Sequence, residues 1–197
     1  MIIGVTGTLA SGKSTVAGKI AEVKNGKLLD ADRIAHSILD KDASVHLQLI
    51  SFFGKRILKE KGKIDRKKLA DIVFSDREKL KFLCDVIHPK VVTEIEESTK
   101  GILQKNKDAY VVIDAPMLIE AGLKNFCDLV IVVTATISNI LRRVAKHGRL
   151  TKKEALKRIR AQMPVSEKEK YADYVIHNDG SLKELEGKAK ELIDKID

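Results

Sequence analysis

The chain has 197 residues, 44% of them hydrophobic and 33% charged, with a net charge of +9. That composition suits a globular domain and excludes disorder, and no apolar run approaches the roughly 20 residues needed to cross a bilayer. Met1 leads straight into an apolar strand signal instead of a secretory leader, so a soluble cytoplasmic protein is expected.

Ile2-Ile3-Gly4-Val5 predicts a first strand, and Gly7-Thr8-Leu9-Ala10-Ser11-Gly12-Lys13-Ser14 follows it on the pattern G-x-x-x-x-G-K-[ST]. Thr15 then opens a helix through Ala21. Strand, glycine turn and helix in this order make a phosphate cradle, because backbone N–H groups and the positive helix end converge on one anion. Lys13 is expected to reach the β- and γ-phosphates of a nucleoside triphosphate, and the Ser14 hydroxyl to ligate Mg²⁺. Gly12→Val is expected to abolish nucleotide binding while leaving the fold nearly intact.

Residues 26 to 32 read as a second short strand ending in two acids, Asp30 and Asp32, with helical spacing from Arg33 onward. Position favours Asp32, at the carboxyl end where open α/β sheets place ligands. The same residue suits the N-cap of the following helix, and local sequence leaves both roles open. From about 40 to 107 the pattern is helical and highly charged, with Ser75 and Glu78 as a capping box and Pro89 disfavouring helix at His88. No strand signal of comparable strength interrupts it. The stretch of about 33–107 therefore reads as a helical insertion, the natural place for an acceptor-specific subdomain, in a core formed by 1–32 and 108–197.

Ala109 to Asp114 predicts a buried parallel strand closed by an acid. Asp114 there suits either a carboxylate holding Mg²⁺ through water or a cap-like turn before Pro116. Asp128 to Val133 gives a fourth strand and 138–147 a helix that Gly148 ends; Thr151 with Glu154 then caps a helix to about Gln162. Residues 141–160 carry nine Lys or Arg against the single acid Glu154. So concentrated a charge beside a phosphate loop suggests an anion clamp, a lid over about 142–160. Arg143 leads into the Gly148 turn, and its planar fork suits phosphate oxygens. Tyr174-Val175-Ile176 and a helix capped by Ser181 and Glu184 complete five strands alternating with helices, which predicts a three-layer α/β fold on a five-stranded parallel sheet. Cys84 and Cys127 lack metal-ligand spacing and read as small buried hydrophobes in a reducing compartment. With no Trp and 4% aromatic residues the chain offers no stacking platform for nucleic acid.

Taken in order, these pieces closely resemble the dephospho-coenzyme A kinases. The likeness runs through Thr6-Gly7 to Ser14-Thr15, Asp30-Ala31-Asp32 with Ile34, Phe53-Gly54, Asp65-Arg66 with Leu69 and Val73-Phe74, and His88-Pro89. It continues through Pro116-Met117-Leu118-Ile119-Glu120, Arg143, Arg158 to Met163, and Ala172 to Ser181. The resemblance implies a P-loop kinase fold with a helical acceptor insertion and a lid. It also implies ATP-dependent phosphorylation of the ribose 3′-hydroxyl of dephospho-CoA, the last step of coenzyme A biosynthesis. Asp32 would then be the general base and Asp30 structural, with Lys13 and Arg143 stabilising the transferred phosphoryl group. ATP would be held by Gly7, Thr8, Leu9, Ala10, Ser11, Gly12, Lys13, Ser14, Thr15, Arg143, Asn178 and Gly180. The acceptor would meet Asp32, His88, Pro116, Leu118 and Glu120, and the metal Ser14 and Asp114; no nucleic-acid or membrane partner is implied. The chain departs from the family pattern at Thr8 and Ala10, where glycines are common, at Met117, where leucine is usual, and at His147, where a second lid arginine is frequent and which Arg149 could replace. The nearest rival is another small-molecule kinase of the same fold, from which the His88-Pro89 and Pro116-to-Glu120 motifs separate it.

Overall fold

A computed structural model describes residues 1–148 and 150–196. Two compact units emerge: Met1–Asp30 with the chain from Glu97 onward, and Ala31–Glu96. The first is built on strands β1 (Ile2–Gly7), β2 (Lys27–Asp30), β3 (Val111–Asp114), β4 (Leu129–Thr134) and β5 (Tyr174–His177). All pair in parallel, in the order β2-β3-β1-β4-β5. β3 is buried at every position and β1 and β4 at all but their first, which is why these strands read as unbroken apolar runs: both faces of a parallel sheet are covered.

One face is closed by helices α1 (Lys13–Val23) and, at the end of the chain, α9 (Leu182–Ile196). Val16, Ala17 and Ile20 of α1 and Leu185, Ala189, Leu192 and Ile193 of α9 pack on Ile3, Val5, Val112, Ile131 and Val133. Across the sheet, Gly4 lies so close to Leu118 and Cys127 that a Cβ there would stand 2.8 Å from each side chain. Burial, with the Asp128 charge second, pushes the Cys127 thiol up to about 12, so it packs as an inert small group. Cys84 and Cys127 are both half-buried and neither is in a disulfide.

The second unit contains α2 (Ala31–Lys41), α3 (Ala43–Phe53), α4 (Arg66–Val73) and most of α5 (Arg77–Lys105). Several motif residues here have local structural duties. Asp42 caps α3 through the N–H groups of Ser44 and Val45, Asp65 caps α4 through those of Lys67 and Lys68, and Gly54 ends α3 at φ 74°. Phe52 stacks on Phe82 with ring centroids 3.8 Å apart, and Phe53 meets both rings edge-on.

Three local expectations are corrected. The chain does not leave the helix at His88: α5 runs through Pro89 without a break. Proline removes one hydrogen bond there, but Ile87, Val91 and Ile95 recur every four residues as a buried stripe, and burying them outweighs that loss. Nor does Ser75 cap α5. Asp76 does so, its Oδ1 accepting from the N–H groups of Glu78 and Lys79, while the Ser75 hydroxyl donates back to the carbonyls of Asp71 and Ile72. Finally, β2 stops at Asp30 and α2 begins at Ala31, so Asp30 and Asp32 do not share one extended segment, and Asp32 lies in the first helical turn instead of capping it. The strand ends where its ladder with β3 ends, at the Asp30–Asp114 pair, and an acid in the next turn suits the positive helix end. Among the described residues no helix is long and apolar enough to cross a membrane.

Candidate functional site

β1 lies between β3 and β4, and its last residue, Gly7, opens the phosphate loop. A Cβ at Gly7 would stand 2.1 Å from the Val133 carbonyl, so only glycine lets the loop leave the sheet this close to β4. The loop tightens through the Ser11 N–H, which donates to the Thr8 carbonyl at 3.2 Å, and Ala10 adopts a left-handed φ of 54°. Gly12 precedes α1 at φ 99° and no side chain caps that helix end. The first turn of α1 contains no acid, which leaves its positive terminus for an external anion. A Cβ on Gly12 would approach Asn178 Nδ2 at 2.5 Å and Leu185 Cδ2 at 2.8 Å. Gly12→Val therefore disturbs packing as well as the cradle, contrary to the expectation of an intact fold.

Lys13, at the start of α1, points at the carboxyl end of β3. Its ammonium lies 3.2 Å from Asp114 Oδ1 and donates to Ser14 Oγ at 3.3 Å. Asp114 is buried, and its Oδ1 forms an ion pair with Lys13 but accepts no directed hydrogen bond. Thr8 Oγ1 and Ser11 Oγ are likewise buried in the loop without a hydrogen-bond partner. Lone buried oxygens of this kind, in the loop and at the end of β3, suit a site completed by a ligand. No cluster of three or more His, Cys, Asp or Glu able to hold a metal occurs among the described residues.

The far end of the loop is gripped by the turn after β5. Asn178 is buried; its N–H donates to the Thr134 carbonyl at 2.7 Å and its Nδ2 to the Ser11 carbonyl at 2.7 Å. Arg143, on α6 (Ile137–His147), donates to the Ala10 carbonyl at 3.3 Å, to Asn178 O at 2.8 Å and to Asn178 Oδ1 at 3.0 Å, with Gly180 O at 3.5 Å. Asp179 Oδ1 in turn accepts the Thr136 N–H and the Asn139 Nδ2, both at 2.8 Å. The Thr136 N–H, the Asn139 amide and, less strongly, the Arg143 charge bring the Asp179 carboxyl down to about 2. Arg143, the phosphate loop and residues 178–180 thus form one network.

The basic segment continues into α7 (Lys152–Ala161), capped by the expected box of Thr151 and Glu154. Ile140, Val144 and Ala155 form a small core between α6 and α7, against which Leu9 and Ala10 of the loop pack. His147 ends α6 on the surface; Arg149 lies outside the described residues.

Beyond β3, Pro116 is half-buried, whereas Leu118 is fully buried against Gly4 and acts as a packing residue. Both oxygens of Glu120 are held by Lys168, on the short helix α8 (Val165–Glu169), at 2.9 Å each. Sequence reading missed Lys168 because it stands among exposed lysines and its partners are far away along the chain. Asp32 and His88 belong to the second unit, in the first turn of α2 and midway along α5. That unit also carries an open groove of about 890 Å³ bordered by Lys55, Lys59, Lys61, Lys63 and Lys68, a second basic surface that counting charge along the chain did not single out.

Residues 1–184 match the family described as dephospho-CoA kinase. A dephospho-CoA kinase of Fusobacterium nucleatum is 41% identical over 196 residues, spanning 100% of this chain and 98% of that protein. Among solved structures, dephospho-CoA kinase from Campylobacter jejuni is similar at 34% identity and a TM-score of 0.68, covering 99% of this chain and 96% of its own. TT1252 from Thermus thermophilus superimposes with a TM-score of 0.76 at 34% identity over 100% and 98% of the two chains.

Proposed function

Because the chain belongs to the dephospho-CoA kinase family, its reaction is the last step of coenzyme A biosynthesis, and we propose that Lys13, Arg143 and Asp32 carry it. ATP lies along the Gly7–Thr15 loop with its phosphates at the α1 terminus and its base toward Asn178 and Gly180. The network of Arg143, Ala10, Asn178 and Ser11 supports that course, because it joins the loop to the 178–180 turn. Asp32 takes the proton of the ribose 3′-hydroxyl as the oxygen attacks the γ-phosphorus; the bond to the bridging β–γ oxygen breaks, ADP leaves, and the proton passes to solvent. Lys13 and Arg143 offset the charge on the equatorial and leaving oxygens. His88 and Pro116 face the acceptor, and Leu118 and Glu120 hold the segment that carries Pro116.

Ser14 and Asp114 fit a divalent cation: both lie within 3.3 Å of the Lys13 ammonium, and the Asp114 oxygen on that side is buried without a hydrogen bond. Few protein ligands are needed, since Mg²⁺ in nucleotide sites keeps waters and phosphate oxygens around one or two carboxylates. When bound there, Mg²⁺ supplies neutralising charge to the β- and γ-phosphate oxygens. The setting we infer for this reaction is the cytoplasm.

The Lys13–Asp114 ion pair at the loop, with Ser14 Oγ accepting from the same ammonium, is the observation that carries the reading. A coupled assay of ADP release, with dephospho-CoA against a panel of nucleosides and nucleoside monophosphates, tests it. Asp32→Asn is expected to retain ATP affinity and to lose turnover by about 10²-fold or more. Turnover near the parent level would return Asp32 to a role in the α2 terminus alone.

A further inference from the structure

We propose that Lys168 is a positioning residue for phosphoryl transfer: with Glu120 it forms a buried post that fixes the ends of β1 and β3, and the foot of the lid, around the γ-phosphate. The proposal rests on ATP occupying the loop as described above. Lys168 is completely buried, the one lysine of the described residues that is. Burying an ammonium costs several kcal/mol unless its donors are filled. All three are filled here, by Pro116 O at 2.6 Å and by Glu120 Oε1 and Oε2 at 2.9 Å each.

What those acceptors hold gives the pair its meaning. The Pro116 carbonyl also accepts the Thr6 hydroxyl at 3.2 Å. Pro116 stands two residues beyond Asp114, and Thr6 is the residue before Gly7. One carbonyl thus ties the strand end that presents Asp114 to the strand end that opens the phosphate loop. Glu120 Oε1 also accepts the Met163 N–H at 3.0 Å, two residues past the end of α7. The same carboxylate therefore anchors the trailing foot of the basic lid, while Arg143 anchors its leading helix on Ala10 and Asn178.

Electrostatics agree with this placement. Burial lowers the Lys168 pKa, Glu120 opposes that shift, and the charge of Lys13 lowers it further, so the two ammonium groups sense each other. An apolar pair of similar volume could fill the space with no loss of stability. It could not hold the Pro116 carbonyl or the Met163 N–H, and that difference separates a positioning role from a packing one.

Four variants test the proposal: Lys168→Arg, Lys168→Met, Glu120→Gln and the double change Lys168→Met with Glu120→Leu. Each is measured for thermal midpoint, kcat with dephospho-CoA, and affinity for ATP relative to AMP. Lys168→Met is expected to lower kcat by about 10²-fold, the scale of an ångström's misplacement, and to cut the ATP-to-AMP affinity ratio about tenfold with AMP binding unchanged. Lys168→Arg should recover kcat to within about fivefold. The double variant should melt near the parent yet stay at least tenfold slow. Parent-like kcat in a double variant that melts normally would overturn the proposal. If neither Met variant folds, Glu120→Gln, which keeps the shape and the Met163 contact, decides: unchanged kcat and affinity ratio overturn it, and a loss in both supports it. Absence of any turnover with dephospho-CoA in the parent enzyme would instead defeat the acceptor assignment, and the ATP-to-AMP ratio would still judge Lys168.

Discussion

Ala10 occupies a left-handed backbone position, φ 54°, in which glycine is the unstrained residue. The chain tolerates alanine because its methyl packs beside the small core of Ile140, Val144 and Ala155, which repays part of the strain. A β-branched side chain adds a second substituent at the same Cβ and has no such tolerance. Ala10→Val is expected to cost about 2 kcal/mol or more, a fall in thermal midpoint of roughly 4–8 °C, whereas Ala10→Gly stays within about 2 °C of the parent. Scanning calorimetry of the two variants makes the comparison. Asp114 illustrates what the residue scale hides: sequence gives a carboxylate at a strand end, but its pairing with Lys13 depends on β3 lying beside β1.

At the scale of elements, helix starts were legible in two cases and off by one residue in a third. Thr151 with Glu154 and Ser181 with Glu184 form the reciprocal bonds that their spacing announces. Ser75 with Glu78 has the same spacing, yet neighbouring Asp76 takes the cap, since a charged acceptor competes better for the first-turn N–H groups. Asp76→Ala should therefore lower stability by about 1 kcal/mol, and Ser75→Ala by less than about 0.5 kcal/mol, measured by urea denaturation. On α6, Arg143 is tied into the loop while His147 sits on the surface at the helix end. Arg143→Ala is expected to reduce kcat/KM for ATP by about 10²-fold or more, the loss typical of a preorganised donor, and His147→Ala by no more than about threefold. Equal losses in steady-state kinetics would show that the terminal turn of α6 meets the nucleotide as closely as Arg143 does, which overturns this geometry.

For the whole molecule, acid stability follows from the caps. Asp42, Asp65, Asp76, Asp179 and Glu184 are all held below their usual range, Asp76 first by the Lys79 ammonium and the others mainly by N–H or hydroxyl donors at helix starts and turns. A carboxyl whose folded pKa is depressed stabilises the fold above its ordinary value and ceases to do so as pH falls through the folded one. For Asp179 that window runs from 3.8 down to about 2. The urea midpoint is thus expected to be level above about pH 5 and to fall steadily toward pH 2, with Asp179→Asn showing a shallower fall. The basic surface of α6 and α7 and the lysine groove of the second unit add positive self-repulsion over the same range, which steepens the loss.

The sequence by itself determined the parallel α/β core, because strands covered on both faces must be apolar throughout, and it determined the phosphate loop, because that site is made of consecutive backbone groups whose geometry needs particular residues in order. It also singled out Asp114 at a strand end and Arg143 before a helix-ending glycine, while Asn178 came from the family resemblance; that Asp114 pairs with Lys13 and Arg143 with Asn178 is seen only in the folded chain. Tertiary structure alone decided that α5 passes through Pro89, since the stripe of Ile87, Val91 and Ile95 that outweighs the missing hydrogen bond matters only when something packs on it. It alone decided that Gly12 is crowded by Asn178, and that Lys168 is buried upon Glu120, 48 residues away. Contacts between distant segments leave no periodicity and no spacing in the chain; they exist only once the strand order β2-β3-β1-β4-β5 has brought the strand ends together.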